Sequence, residues 1–278
     1  MCRMPSENLS REWESTPVTR VFEEGGGKKA SRPLLREHEL DVFVDGEKKY
    51  SLCCTRGNLP ELVLGRLYVD GVIEDQSDVK ELIFTEEESK AIVKLSEEAR
   101  GRLEDNKERE EREEKETGER REAEETKETE TEQGKTKGRE ERGKRVLRPE
   151  DIFSLSKAFL EHEGLYGVVG SVHKCLLSCP GEEGEKLFFF EDIGRHHAVD
   201  KAIGFALLEN IPLKECVLFT SGRVPLDMVR KAARAGIYAL ISKSLPTMEA
   251  VREAKRVGLL LICRAWPDSY EIYAGEEA

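Results

Sequence analysis

Glu191-Asp192-Ile193-Gly194-Arg195-His196-His197 gathers carboxylates, a glycine, a guanidinium and adjacent imidazoles in one short run. The apolar stretch Leu187 to Phe190 leads into it, and an amphipathic stretch from about His197 to Glu209 follows. A strand that hands over to a helix at such a turn sets unpaired N–H groups and the positive end of a helix dipole beside basic side chains, which is chemistry for holding phosphate. Thr220-Ser221-Gly222-Arg223, Ser242-Lys243-Ser244 and Cys263-Arg264 repeat the theme, each after an apolar run and each with a cation. Arg brings a planar fork to phosphate oxygens and Lys a point charge. Together the segments predict a site for a polyanion such as a nucleotide diphosphate. The competing reading is ion pairing of these cations with Asp192 and Asp200.

For the segments to meet, the elements carrying them must alternate. Strands are expected at Leu187–Glu191, Cys216–Thr220, Tyr238–Ser242 and Leu259–Arg264, with helices at His197–Glu209, Pro225–Ala235 and Thr247–Val257. Gly236 and Gly258 stand where helix C-caps belong. This is the pattern of an α/β fold, a mixed or mainly parallel sheet flanked by helices, with ligands outside the carboxyl ends of the strands. Upstream, Pro149 and Glu150 open a helix that Gly164 ends, and a further helix is expected to hold His173, Cys175, Leu176 and Cys179. The N-terminal portion reads as β-rich: Glu39–Val44 and Lys49–Cys54 around the turn Asp45-Gly46, a helix from Asn58 to about Val69, then Val79–Phe84 and Ala91–Leu95.

Composition divides the chain into an unstructured segment over residues 1–36, the β-rich part over 37–96, a charged insertion over 97–146 and the α/β part over 147–278. The insertion is nearly all Glu, Lys, Arg, Thr and Gly, so it has nothing to pack on a core. The net charge of −12 argues against a non-specific nucleic-acid binder. No apolar run approaches the roughly 20 residues that span a membrane. Met1 to Arg11 is polar, without the apolar stretch of a secretory signal, and the seven cysteines lack paired spacing. A cytoplasmic protein is expected.

Glu191-Asp192-Ile193-Gly194-Arg195-His196, continuing through Ala198-Val199-Asp200-Lys201, resembles the signature of the FdhD/NarQ family. Thr220-Ser221-Gly222-Arg223, Ser242-Lys243-Ser244-Leu245-Pro246-Thr247 and Cys263-Arg264…Ile272-Tyr273 fit the family in order and spacing. So do Leu40–Val44 with Gly46, and Gly65-Arg66-Leu67 before Gly71-Val72-Ile73. The resemblance implies a cytidine-deaminase-like fold and a role as a formate dehydrogenase accessory sulfurtransferase. Such a protein takes sulfur from a cysteine desulfurase and passes it to the molybdenum (or tungsten) guanine-dinucleotide cofactor, bound as substrate, with GDP as an analogue. It implies formate dehydrogenase as a partner and leaves room for a homodimer. The cofactor-binding residues it implies are Asp192, Gly194, Arg195, His196, Ser221, Gly222, Arg223, Ser242, Lys243 and Ser244, with the segment Ile262, Cys263, Arg264, Ala265, Trp266, Pro267 and Asp268.

The sequence departs from the family in its thiols. The family's sulfur-carrying loop has a C-x-x-C motif, and this chain has none. A persulfide carrier needs an accessible thiolate on a mobile segment. Cys175, beside His173 and Lys174 and near the start of the expected helix, is the first candidate for that catalytic role, with Cys179 next to it; the competing reading buries both in a core. No metal site is expected. A zinc deaminase needs His-x-Glu or Cys-x-Glu and Pro-Cys-x-x-Cys, and His173-Lys174-Cys175 lacks the Glu. Two readings stay open, a sulfurtransferase and a non-catalytic cofactor-binding chaperone or insertase.

Overall fold

Two glycines set how the halves of the chain meet. In the computed structural model, which describes residues 12–103, 146–182 and 184–275, helix α1 (Leu59–Val69) crosses helix α4 (Arg195–Leu208) at Gly65 and Gly204. A Cβ on Gly65 would lie 1.8 Å from the Asp200 carbonyl oxygen, and one on Gly204 would lie 1.9 Å from that of Glu61. The backbones touch where side chains are absent, so the β-rich part is docked directly on the helix that follows the signature turn.

That β-rich part is a four-stranded sheet of β3 (His38–Val44), β4 (Glu47–Cys54), β5 (Val79–Phe84) and β6 (Lys90–Leu95), in the order β4-β3-β6-β5. The strands β3 and β6 run parallel and the other neighbours antiparallel. Its apolar face, including Leu40, Val42, Leu52, Val93 and Leu95, packs on Leu62, Val63 and Leu67 of α1. Beyond it stands a hairpin of β1 (Trp13–Val21) and β2 (Gly27–Leu35), paired from Trp13↔Leu35 to Val21↔Gly27. The expectation of an unstructured segment is thus corrected for residues 12–36, while residues 1–11 lie outside the described residues. The hairpin is rich in β-branched Thr16, Val18, Thr19 and Val21, and Gly25 and Gly26 turn it with φ of +91° and +87°. Glu12 anchors its base by accepting from the N–H groups of Arg56 (3.1 Å) and Gly57 (2.7 Å).

The second sheet has six strands in the order β12-β11-β10-β9-β7-β8: β7 (His173–Gly181), β8 (Gly184–Asp192), β9 (Val217–Thr220), β10 (Ala239–Ser242), β11 (Leu260–Cys263) and β12 (Glu271–Ala274). The strands β9, β10 and β11 are parallel, and they are buried on both faces as strands covered by helices must be. Helix α2 (Pro149–Glu161) covers one face through Ile152, Leu155 and Phe159, with the short helix α3 (Leu165–Val169) after it. The other face carries α4, α5 (Leu226–Arg234) and α6 (Met248–Val257) through Ala202, Met228, Val229 and Ala250. The sheet is mixed: β12 is antiparallel to β11, and β7 is antiparallel to both β9 and β8. It follows that β8 runs parallel to β9. The carboxyl ends of β8, β9, β10 and β11 therefore share one edge with the start of β7.

The expected boundary of the charged insertion is also corrected. Residues 97–103 are helical, Ala99 is buried, Leu103 packs on the β-rich core and Arg102 pairs with Asp78 at 2.5 Å. Residues 104–145 lie outside the described residues. Among the described residues no helix is long and apolar enough to cross a membrane.

Candidate functional site

The signature turn is fixed from beneath by buried charge. Asp192, the last residue of β8, pairs with Lys201 of α4 at 2.6 Å, and both side chains are fully buried. Lys201 Nζ also donates to Thr55 Oγ1 (2.7 Å) and to the carbonyls of Thr55 and Glu191. Asp192 accepts from the N–H groups of Thr55 (3.1 Å) and Gly194 (3.0 Å) and stands 3.2 Å from His197 Nδ1. Burial by itself raises the Asp192 carboxyl, but the Lys201 ammonium and these hydrogen bonds outweigh it and hold the group down at about 2. Asp200 faces Lys231 at 2.5 Å; there burial dominates and raises the carboxyl. Glu191, raised by burial, accepts from the N–H groups of Leu165 (2.6 Å) and Tyr166 (2.9 Å). The acids of the turn are spent on scaffolding.

The cations are left on the rim. A Cβ on Gly222 would lie 3.0 Å from Cβ and Cδ of Arg195 and 3.5 Å from His173 Nδ1, so the bare glycine lets Arg195 lie across the loop after β9. His173 Nδ1 is 3.3 Å from Ser221 Oγ, which accepts from the Lys174 N–H. Ser242 Oγ donates to the Gly222 carbonyl (2.7 Å) and accepts from the Ser244 N–H (2.9 Å), tying the loops after β9 and β10. The N–H groups of Arg264 and Ala265 donate to the carbonyls of Ser244 and Ser242, which ties in the loop after β11. Arg264 holds φ at +49°, a left-handed conformation at the strand end. Lys243 Nζ sits 4.9 Å from the Trp266 ring centroid. These bonds make one continuous rim from β8 to β11.

Among the described residues Arg195, Arg223 and Lys243 have no acidic partner, whereas Arg264 pairs with Glu271 at 3.2 Å on the exposed surface. His196 lies 3.5 Å from Asp227. Burial lowers it, against the pull of Asp227, to about 4, so it is neutral near pH 7. Arg195 Nε and His196 Nδ1 are buried and have no hydrogen-bond partner among the described residues. Buried polar groups are rarely left unmet, because the unmet group keeps its full desolvation cost. Unpaired cations and the unmet Arg195 Nε–H donor on one rim suit an anionic ligand.

The expected site residues divide by exposure. Arg223, Arg264, Trp266, Pro267 and Asp268 are exposed, and Gly194, Arg195, His196, Ser221, Lys243 and Ser244 are partly buried. Asp192, Gly222, Ser242, Ile262, Cys263 and Ala265 are buried. The side chains of Asp192, Ser242, Ile262, Cys263 and Ala265 lie beneath the rim, where those of Asp192 and Ser242 hydrogen-bond its loops. The start of β7 joins the rim although its residues were expected on a helix. Its signal was the turn Gly181-Glu182-Glu183-Gly184 between two apolar runs, which marks a hairpin.

A family model described as the FdhD/NarQ family matches residues 35–278. The chain belongs to the FdhD/NarQ family. It is 29% identical over 245 residues to a protein of Bacillus licheniformis named sulfur carrier protein FdhD, covering 88% of this chain and 89% of that one. A protein of Staphylococcus aureus with the same name is 26% identical over 264 residues, covering 94% of each chain. The fold matches, with a TM-score of 0.69 and 20% identity over 95% of this chain and 97% of the other, a crystal structure assigned as a formate dehydrogenase accessory protein from Desulfotalea psychrophila.

Of the six cysteines among the described residues of this FdhD/NarQ chain, five are buried and one is exposed. Cys175 belongs to β7, pairs with Thr220 and Phe190 in the sheet, and is fully buried, where desolvation pushes its thiol up. The expectation that it begins a helix on an accessible segment is corrected, and with it the basis for a catalytic role. Cys179 and Cys216 are also buried. Burial pushes Cys54 and Cys263 up to about 12. Cys53 is the exposed one among the described residues; burial and the Glu37 carboxylate, 3.6 Å away, push it up too.

Proposed function

We propose that this chain serves the maturation of formate dehydrogenase by holding the guanine-dinucleotide form of a molybdenum or tungsten cofactor at the strand-end rim. The observation that carries the reading is the set of cations Arg195, Arg223 and Lys243, without an acidic partner among the described residues, beside the unmet Arg195 Nε. In this reading Arg195 and Arg223 bring forks to the diphosphate, with the hydroxyl of Ser244 beside them. Trp266 supplies a flat ring for a base or pterin in the segment Ile262 to Asp268. Formate dehydrogenase is the partner, in the cytoplasm, and GDP stands in for the nucleotide half. The test is to purify the chain from a host that makes the cofactor and to assay the bound material by the fluorescence of its oxidised pterin. Pterin that accompanies the natural chain and is lost from Arg195→Ala/Arg223→Ala supports the reading; a natural chain free of pterin contradicts it.

A second reading adds the sulfur step, and the names of the relatives favour it. It needs a thiol that a cysteine desulfurase can reach, and Cys53 is the exposed thiol among the described residues. Incubation with a desulfurase and cysteine, followed by mass spectrometry, then finds a persulfide on Cys53. Absence of a persulfide at every cysteine leaves cofactor handling as the whole function.

A further inference from the structure

Cys179 and Cys216 meet in the core at the end of the sheet opposite the rim. The strands β7 and β9 are antiparallel, with the register running from Cys175↔Thr220 to Ser178↔Val217. One step further sets Cys179 directly opposite Cys216. The Ser221 N–H donates to the Lys174 carbonyl, so positions 174 and 221 form a hydrogen-bonded pair. Pair types alternate along an antiparallel ladder, which makes 179 and 216 a non-hydrogen-bonded pair with Cα atoms about 4.5 Å apart and side chains turned close together. The Cys216 N–H donates to the Leu213 carbonyl, as that alternation requires. The two sulfurs are 2.9 Å apart, and Cys216 Sγ is also 3.5 Å from the Pro212 carbonyl oxygen. A disulfide spans Cα separations of about 4.4–6.8 Å, so the backbone already has the spacing a bridge needs.

We infer that Cys179 and Cys216 form a reversible redox pair that closes to a cross-strand disulfide under hydrogen peroxide and reopens under a dithiol. Cys179, as a residue 2% exposed against 0% for Cys216, is the one assigned to meet the oxidant first. Its sulfur takes one peroxide oxygen to give a sulfenic acid, and one water leaves. The Cys216 sulfur then attacks the Cys179 sulfur, the S–O bond breaks, and a second water carries away the hydroxyl with the Cys216 proton. A dithiol reverses the bridge by two exchange steps, taking up the disulfide bond and returning both protons. Closure pins β7 to β9 across the 37-residue sequence interval between the two cysteines. Thr220, at the rim, lies four residues along β9 from Cys216, roughly 13 Å away, so closure leaves the rim's groups in place.

The test uses the full natural chain. It is treated with mild hydrogen peroxide, blocked with an alkylating agent, and digested without reduction. The expected product is a linked peptide pair joining Lys174-flanked Cys175–Lys186 to Glu215–Arg223, with fragment masses that assign the bond to Cys179 and Cys216. The melting temperature rises on the order of 5–10 °C on oxidation and returns with dithiothreitol. Cys179→Ala and Cys216→Ala each abolish the linked peptide and the shift. Peroxide that leaves both thiols alkylatable in the natural chain, or that joins Cys216 to Cys175 instead, overturns the inference. That outcome is independent of nucleotide binding, so it leaves the proposed function untouched.

Discussion

Replacing Lys201 by Met removes the charge beneath the signature turn while keeping much of the side chain's volume. Asp192 then stays buried, still facing Thr55 and Gly194, but without the ammonium that stands 2.6 Å away. Breaking a fully buried pair on one side costs about 3–5 kcal/mol, because the remaining charge keeps its desolvation penalty. The natural chain supplies a floor beneath that range. The drop of the Asp192 carboxyl from 3.8 to about 2 corresponds to about 2 kcal/mol of stability. Because the folded value is depressed, that contribution is complete above about 3.8 and is lost as pH falls through about 2. Urea unfolding of Lys201→Met near neutrality is therefore expected to show a loss of about 3–5 kcal/mol. The gap to the natural chain narrows in acid, where Asp192 of the variant takes up its proton. Adding Asp192→Asn to Lys201→Met should recover part of the loss, since no bare charge remains. A single variant within about 1 kcal/mol of the natural chain, against the 3–5 kcal/mol of an uncompensated buried charge, would refute the reasoning. So would a gap that does not change with pH.

Three further outcomes follow from the same geometry. Gly65→Ala and Gly204→Ala each drive a Cβ into backbone of the facing helix, and each should cost at least about 2 kcal/mol in urea unfolding; an unchanged midpoint would mean that α1 and α4 do not cross there. Replacing residues 104–145 by a short Gly/Ser linker should leave the melting temperature within a few degrees, whereas extending the replacement to residue 97 removes Ala99, Arg102 and Leu103 from the core and should lower it clearly. The ring protons of His196 should titrate near 4 in an NMR pH series; a midpoint at or above the ordinary histidine value would show that its ring is not desolvated.

The rim was legible because its parts are local. Four-residue apolar runs, helix-capping Gly258 and the cation-bearing loops announce strands, helices and strand ends one after another. What failed was periodicity. Cys175, Leu176, Leu177 and Cys179 lie on a strand buried on both faces, so the alternation that marks a half-exposed strand is missing and helical spacing fits as well. The β1–β2 hairpin was missed for the opposite reason: most of its residues stay exposed, and hydrophobicity says little about them. The contact of Lys201 with Thr55 joins residues 146 positions apart, and no local pattern reports it. Asp192 looked like a ligand-facing acid because the sequence shows its type and place but not its burial.

The central claim is that the strand ends of β8, β9 and β10 hold a guanine nucleotide through cations that the fold leaves unpaired. Isothermal titration of the natural chain, Arg195→Ala and Arg223→Ala with GDP tests it most directly. Each substitution removes a charge-assisted contact, so each should weaken GDP by about 1.5–3 kcal/mol, or roughly 10- to 100-fold, with little change in thermal stability. Binding that is absent from the natural chain, or that both variants retain in full, would contradict the account.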